Sequence, residues 1–228
     1  MNQKHVLTEN GWLNARDPAR ALTGVGKLVP SERLRRVAVA MIERVQDQLS
    51  EPICLQALEL ARQAVSGPVS AELLAESRSD VLRFLNSSRS LSPAAYSAHC
   101  ATAEALRASA LEAARGAAWE ATKALARRDF ERDGYWFLAL RKAKHRSTSV
   151  VRDVLGNPFH PVRFDPRWRT SLVESTAMKV SKDFVLMPDL AEALTEAGCD
   201  EPAIRDHCNG PNLHVRGCWV IDLILAPN

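Results

Sequence analysis

The chain lacks any apolar run long enough to cross a bilayer. Its strongest stretch, WVIDLIL at 219–225, falls far short of the roughly 18 residues a transmembrane helix needs. The opening MNQKHVLTENGW has no apolar core of a secretory leader, so no leader is expected. Apolar–polar alternation bounded by turns is almost missing, which excludes a sheet-dominated fold. No phosphate loop, dinucleotide fingerprint, HExxH or GxSxG occurs, so the enzyme classes those motifs mark are not expected. Five cysteines, an odd number at irregular spacing, do not form a disulfide framework. Reduced thiols and a cytoplasmic location are the expectation.

What is present is helical nearly throughout, and the expected fold is all-α. SERLRRVAVAMIERVQDQLS (31–50) opens on Ser31 and sets Leu34, Val37, Met41, Val45 and Leu49 on one stripe at three-to-four spacing. A second helix follows from Pro52, with Gly67 as its expected C-terminal cap, and a third covers 70–87. Between Pro93 and Pro158 lies an Ala-rich stretch that reads as two long helices broken at Gly134. Its small side chains would let a neighbouring helix approach closely. Residues 1–155 are therefore expected to form a helical bundle.

GNPFHPVRFDPRWR (156–169) carries too many prolines for a helix. Its interleaved Phe159, Val162, Phe164 and Trp168 predict an extended crossover pinned to a core. Short helices follow, with SLVE at 171–174 as a capping box, PDLAEALTEAG at 188–198, DEPAIRDHCN at 200–209 and a final RGCWVIDLIL. Residues 156–228 are expected to dock with 1–155 into one continuous fold.

The formal charge of +3 is too small to imply a nucleic-acid partner. Its distribution is uneven. From Lys123 to Arg152 there are nine Lys or Arg against three acids, and from Asp183 to Asp206 seven acids against one Arg. Two solvated helix faces of opposite sign are the expected meaning, with Asp129, Glu131 and Asp133 among the solvated acids. Trp12, Trp119, Trp136 and Trp168 are expected as core or inter-helix anchors, and His99–Cys100 as a packed core pair.

The densest chemistry is HCNGPNLHVRGCWVIDLIL (207–225). Cys199, Cys208, His214 and Cys218 form C-x8-C-x5-H-x3-C, a donor set suited to structural zinc, although only His214 and Cys218 have the usual close spacing. His207 is a substitute ligand, made awkward by its neighbour Cys208. A catalytic use of Cys218 with His214 and Asp222 is open, since Cys218 lies near a helix start that lowers a thiol pKa. Asp222 opposes this by raising it. The favoured expectation is a structural lock in which Asp222, on a largely apolar helix, is held by Arg216, Arg163 or His214.

TENGWLNARDP, VLGNPFHPVRFDPRW and LAEALTEAGCDEPAIRDHCNGPNLHVRGCWVIDLIL together resemble a helical family expanded in planctomycete genomes, often beside or fused to other domains. Its signature runs GNPF…EAGC…HC…HVRGCW. His160 stands where that family usually has Arg, and VAVAMIER where it often has cysteines. The resemblance implies a bacterial, cytosolic protein and transfers no catalytic residue. The resulting expectation is a non-catalytic interaction or scaffold module acting through a protein partner, with neither nucleic acid nor membrane. The alternative is a Cys/His enzyme or a zinc-stabilised module using the C-terminal cluster. Nucleic-acid binding through 123–152 comes third.

Overall fold

Helix follows helix through the described residues, which in this computed structural model are 7–211 and 213–226, and no strand occurs among them. The leader expectation falls partly on residues 1–6, outside that range. No described helix is long and apolar enough to cross a membrane. Contacts divide the chain into residues 1–151 and 152–228, the boundary falling inside one helix.

The first unit is an Ala-rich bundle. It contains α1 (Glu9–Leu13), α2 (Pro18–Val25), α3 (Ser31–Glu43), α4 (Pro52–Ser66), α5 (Ala71–Ser87), α6 (Pro93–Ala105), α7 (Ala110–Asp133) and most of α8 (Trp136–Leu155). α7 is central, packing along α6, α3 and α2. Its buried face is mostly alanine, from Ala110 to Ala126, and meets the small residues Ala94, Ala98 and Ala101 of α6. At Gly116 the approach is so close that an added methyl would collide with Glu104. Small side chains thus exchange buried volume for close backbone contact.

The Ala-rich stretch is three helices rather than two. Leu106 ends α6, and Ser109 opens α7 by accepting from the Glu112 N–H at 3.4 Å. Gly134 is the second break, with φ 75°. The first long helix stops at Glu43, with a 3-10 turn at Gln46–Gln48. Gly67 ends α4 in extended, not left-handed, backbone.

One surface expectation fails, and one expected anchor makes its inter-helix contact without being buried. Asp129 is buried, accepting from Arg146 at 3.1 Å with Arg132 also close, because it lies on the packed side of α7. Trp119 is no buried anchor. Its half-exposed ring carries Lys123 and Lys144 at 5.8 and 5.4 Å, a cation–π contact on each.

The second unit comprises the last turn of α8, the crossover, α9 (Ser171–Val180), α10 (Met187–Glu196), α11 (Pro202–Asn209) and α12 (Trp219–Leu225). Val162 and Phe164 of the crossover pack on its core, and Trp168 meets Phe164 edge-on at 5.6 Å. Thr170, one residue before the expected Ser171, caps α9. Arg169 ties the crossover to the terminal helix by donating to the carbonyls of Leu223 and Ala226 at 3.0 and 2.9 Å. A cation there answers the unpaired carbonyls of a helix end. Arg163, expected as a partner of Asp222, is exposed.

Candidate metal centre

Four side chains converge in the second unit. Asp153 comes from the end of α8, His207 from α11, His214 from the loop after it, and Cys218 from the N-cap of α12. One donor atom from each lies within 4.8 Å of the others. Each residue sits at or near an element end, where the backbone turns toward the centre of the unit. Gly217, with φ 91°, makes the turn that delivers Cys218. Gly156, with φ 66°, stops α8 just past Asp153.

Asp153 is the hub. It is 2% exposed and still ionised, since its carboxylate is surrounded by donors. His214 donates from Nδ1 to Oδ1 at 2.8 Å, His207 Nε2 approaches the same oxygen at 3.2 Å, and the Val215 N–H donates to Oδ2 at 2.9 Å. Burial raises its pKa, but the hydrogen bonds from His207 and His214 and the Val215 amide together hold it below the ordinary value.

His207 has its own clamp. Trp219 donates from its indole Nε1–H to His207 Nδ1 at 3.1 Å. An indole nitrogen can only donate, so Nδ1 is the bare nitrogen and the proton of neutral His207 is on Nε2. That proton faces both Asp153 Oδ1 and Cys218 Sγ, the latter at 3.1 Å. A methyl at Gly156 would lie 3.2 Å from the Trp219 ring, so the glycine also makes room for the indole. Phe184 stacks on His214 with ring centres 6.4 Å apart.

Cys218 is fully buried. Burial, then the charge of Asp153, push its thiol well above the usual value, while the N–H groups of Ile221 and Val220 work in the opposite direction. The sulfur is thus a protonated thiol in the absence of metal.

Of the residues singled out in sequence, His214 and Cys218 join the cluster. Cys199 and Cys208 do not. They are packed in the apolar core of the unit, and burial pushes Cys208 up to about 12. Of the adjacent pair His207–Cys208, only the histidine turns into the cluster, while Cys208 packs in the apolar core. The carboxylate that receives His214 is Asp153, whereas Asp222 is half-buried on α12 and Arg216 is exposed. Asp153 went unnoticed because RDVL at a helix end reads as an ordinary amphipathic turn. Its signal was the flanking Val150, Val151 and Val154, all buried.

Fold and site define an all-α protein whose C-terminal unit encloses a buried Asp/His/His/Cys cluster capable of holding a metal ion. Compared with known families, curated proteins and solved structures, the chain matches none.

Proposed function

We propose that the chain is a non-catalytic helical module whose C-terminal unit is held together by one structural zinc ion on Asp153, His207, His214 and Cys218. The observation that carries this is the convergence of four donor atoms from four separate places in the chain within 4.8 Å. Carboxylate, two imidazoles and a thiolate are donors zinc accepts, and a soft sulfur disfavours magnesium or calcium. Tetrahedral zinc, with bonds of about 2.0–2.3 Å, holds its donors about 3.3–3.6 Å apart. Among the four donors, which lie within 4.8 Å of one another, the hydrogen-bonded separations of 2.8, 3.1 and 3.2 Å need to open by a few tenths of an ångström and the wider ones to close. Four protein ligands close the coordination sphere, leaving no open position for substrate.

The geometry also argues against a nucleophile. A base that relays a proton uses opposite ring nitrogens for the thiol and the carboxylate, as in the Ser-His-Asp arrangement. Here His207 turns the same Nε2 to both. The scaffold role of the module, through a protein partner, remains part of the proposal.

Binding displaces the Cys218 thiol proton and the Nδ1 proton that His214 donates to Asp153, and one clamp must also rearrange. Zinc on Nε2 shifts the imidazole proton of His207 to Nδ1, and the Trp219 indole N–H must then turn away. Metal analysis of protein purified without chelator tests the proposal. The expected result is one zinc per chain, lost in Cys218→Ser and His214→Ala but kept in Cys199→Ser. Cobalt exchange should give a thiolate charge-transfer band that Cys218→Ser abolishes. A metal-free protein that takes up neither ion after thiol reduction would falsify the proposal.

A further inference from the structure

The N-terminal unit carries a second feature, independent of the metal centre. An open concavity of ≈ 500 Å³ is lined by Arg16, from the loop before α2, and by Phe137, Leu140, Arg141, Lys142, Lys144, His145 and Arg146 of α8. No carboxylate lines it. Lys144 is committed to Asp17 at 2.7 Å, and Arg146 to Asp129. Arg16, Arg141, Lys142 and His145 stand exposed around the concavity. The neighbourhood is already crowded with positive charge. Arg44 is held below its ordinary pKa by burial and then by Arg146 and Arg128.

At the start of α8 stand two bare aromatic rings. Phe137 is 86% exposed and lines the concavity, and Tyr135, two residues earlier, is 71% exposed. Leaving two large rings in water at the start of a cationic helix is costly unless something covers them. Trp136 between them packs edge-on against Phe130 at 6.0 Å, which fixes the direction in which its neighbours project. Along α8, Phe137, Arg141 and His145 recur every four residues, so one helix face presents ring, guanidinium and imidazole at intervals of about 6 Å.

We propose that this concavity binds single-stranded nucleic acid, with Phe137 as the stacking platform for a base and Arg141, Lys142, His145 and Arg16 on the phosphates. A cationic groove with exposed flat rings is how sequence-tolerant single-strand binding is built. A bilayer surface is flat and does not enter a concavity, and an acidic protein segment satisfies the cations but offers no flat partner for a bare ring. A duplex hides the base faces that the ring needs.

The test uses the full chain and fluorescence anisotropy of a labelled oligothymidylate, with a duplex of equal length and phosphatidylserine vesicles as comparisons. Dissociation constants of micromolar order are expected at about 0.05 M salt, weakening steeply toward about 0.2 M. The double variant Arg141→Ala/Lys142→Ala should lose at least about tenfold and flatten the slope of log K against log salt by about 1.4, since each phosphate contact on a single strand contributes about 0.7. Phe137→Ala should lose about fivefold or more with the slope unchanged, because stacking releases no counterions. Far-UV circular dichroism confirms that these exposed substitutions leave the helices intact. Four outcomes overturn the proposal: no oligonucleotide binding at low salt, binding indifferent to the double variant or to Phe137→Ala, a duplex bound as tightly as the single strand, or vesicles bound in preference to both.

Discussion

Asp153 concentrates the consequences of a single side chain. Four protein groups in the second unit are oriented by it or sit against it, and all of them are mostly buried. Asp153→Ala leaves two imidazoles and the Val215 amide facing an emptied, apolar space, a loss of about 3–5 kcal/mol if the metal-free lock is all that is broken. Over a chain of this size that is a fall of roughly 6–20 °C in melting temperature. Asp222→Ala, on a half-buried site one turn past Cys218, should cost only about 1 kcal/mol. Thermal melts of the two variants beside the parent check the order, and equal shifts would return the lock to Asp222. The sequence made the histidine and cysteine partners legible because they cluster within a short segment. Their hub lies more than fifty positions upstream, and no local pattern signals that distance. His207 was legible as a donor, but adjacency alone does not say which of His207 and Cys208 enters the cluster. That choice is made by the indole of Trp219, which grips the imidazole from behind.

At the scale of elements, helix existence was written in periodicity, and the breaks were written in caps. Gly134 was legible because a glycine between two charged helical stretches has one common use. The break at 106–109 was missed because alanine continues on both sides of it, even though Ser109-x-x-Glu112 is a capping signal. Two glycines that look alike in sequence now separate by conformation. Gly134 has φ 75° with no atom near its missing Cβ, so Gly134→Ala should cost about 1 kcal/mol from backbone strain alone. Gly67 is extended with equally open space, so Gly67→Ala should fall within about 0.5 kcal/mol of the parent, or stabilise through the unfolded chain. Urea melts measure both, and a similar cost at the two sites would contradict the assigned backbone geometry. The exposure of Phe137 belongs to this scale too. The apolar run at 135–140 does not by itself say which residues face solvent, and Phe137 is the one left most exposed.

At the scale of the whole molecule, the two units are stabilised by different means. The first rests on alanine faces meeting at short range, as in the collision awaiting any side chain at Gly116. The second has a core of mixed aliphatic residues and the ligand cluster. Removing metal should therefore act on one unit alone. In hydrogen exchange before and after a strong zinc chelator, protection should drop at 152–156 and through α11 and α12, and stay unchanged in α3 and α7. A uniform response, or none, would count against a structural ion. The separation of Asp153 from Cys218 along the chain carries a further consequence, in the currency of chain entropy. A bond network joining them pins the ends of a loop of roughly 65 residues, and closing a loop of that length in the unfolded ensemble corresponds to about 4 kcal/mol, as a disulfide would. The second unit spans only roughly 77 residues, a size at which one apolar core contributes little net stability and small folds resort to cross-links. With its thiols reduced, a reversible clasp from residue 153 to residue 218 is the cross-link open to it, and almost the whole unit lies inside the loop it closes.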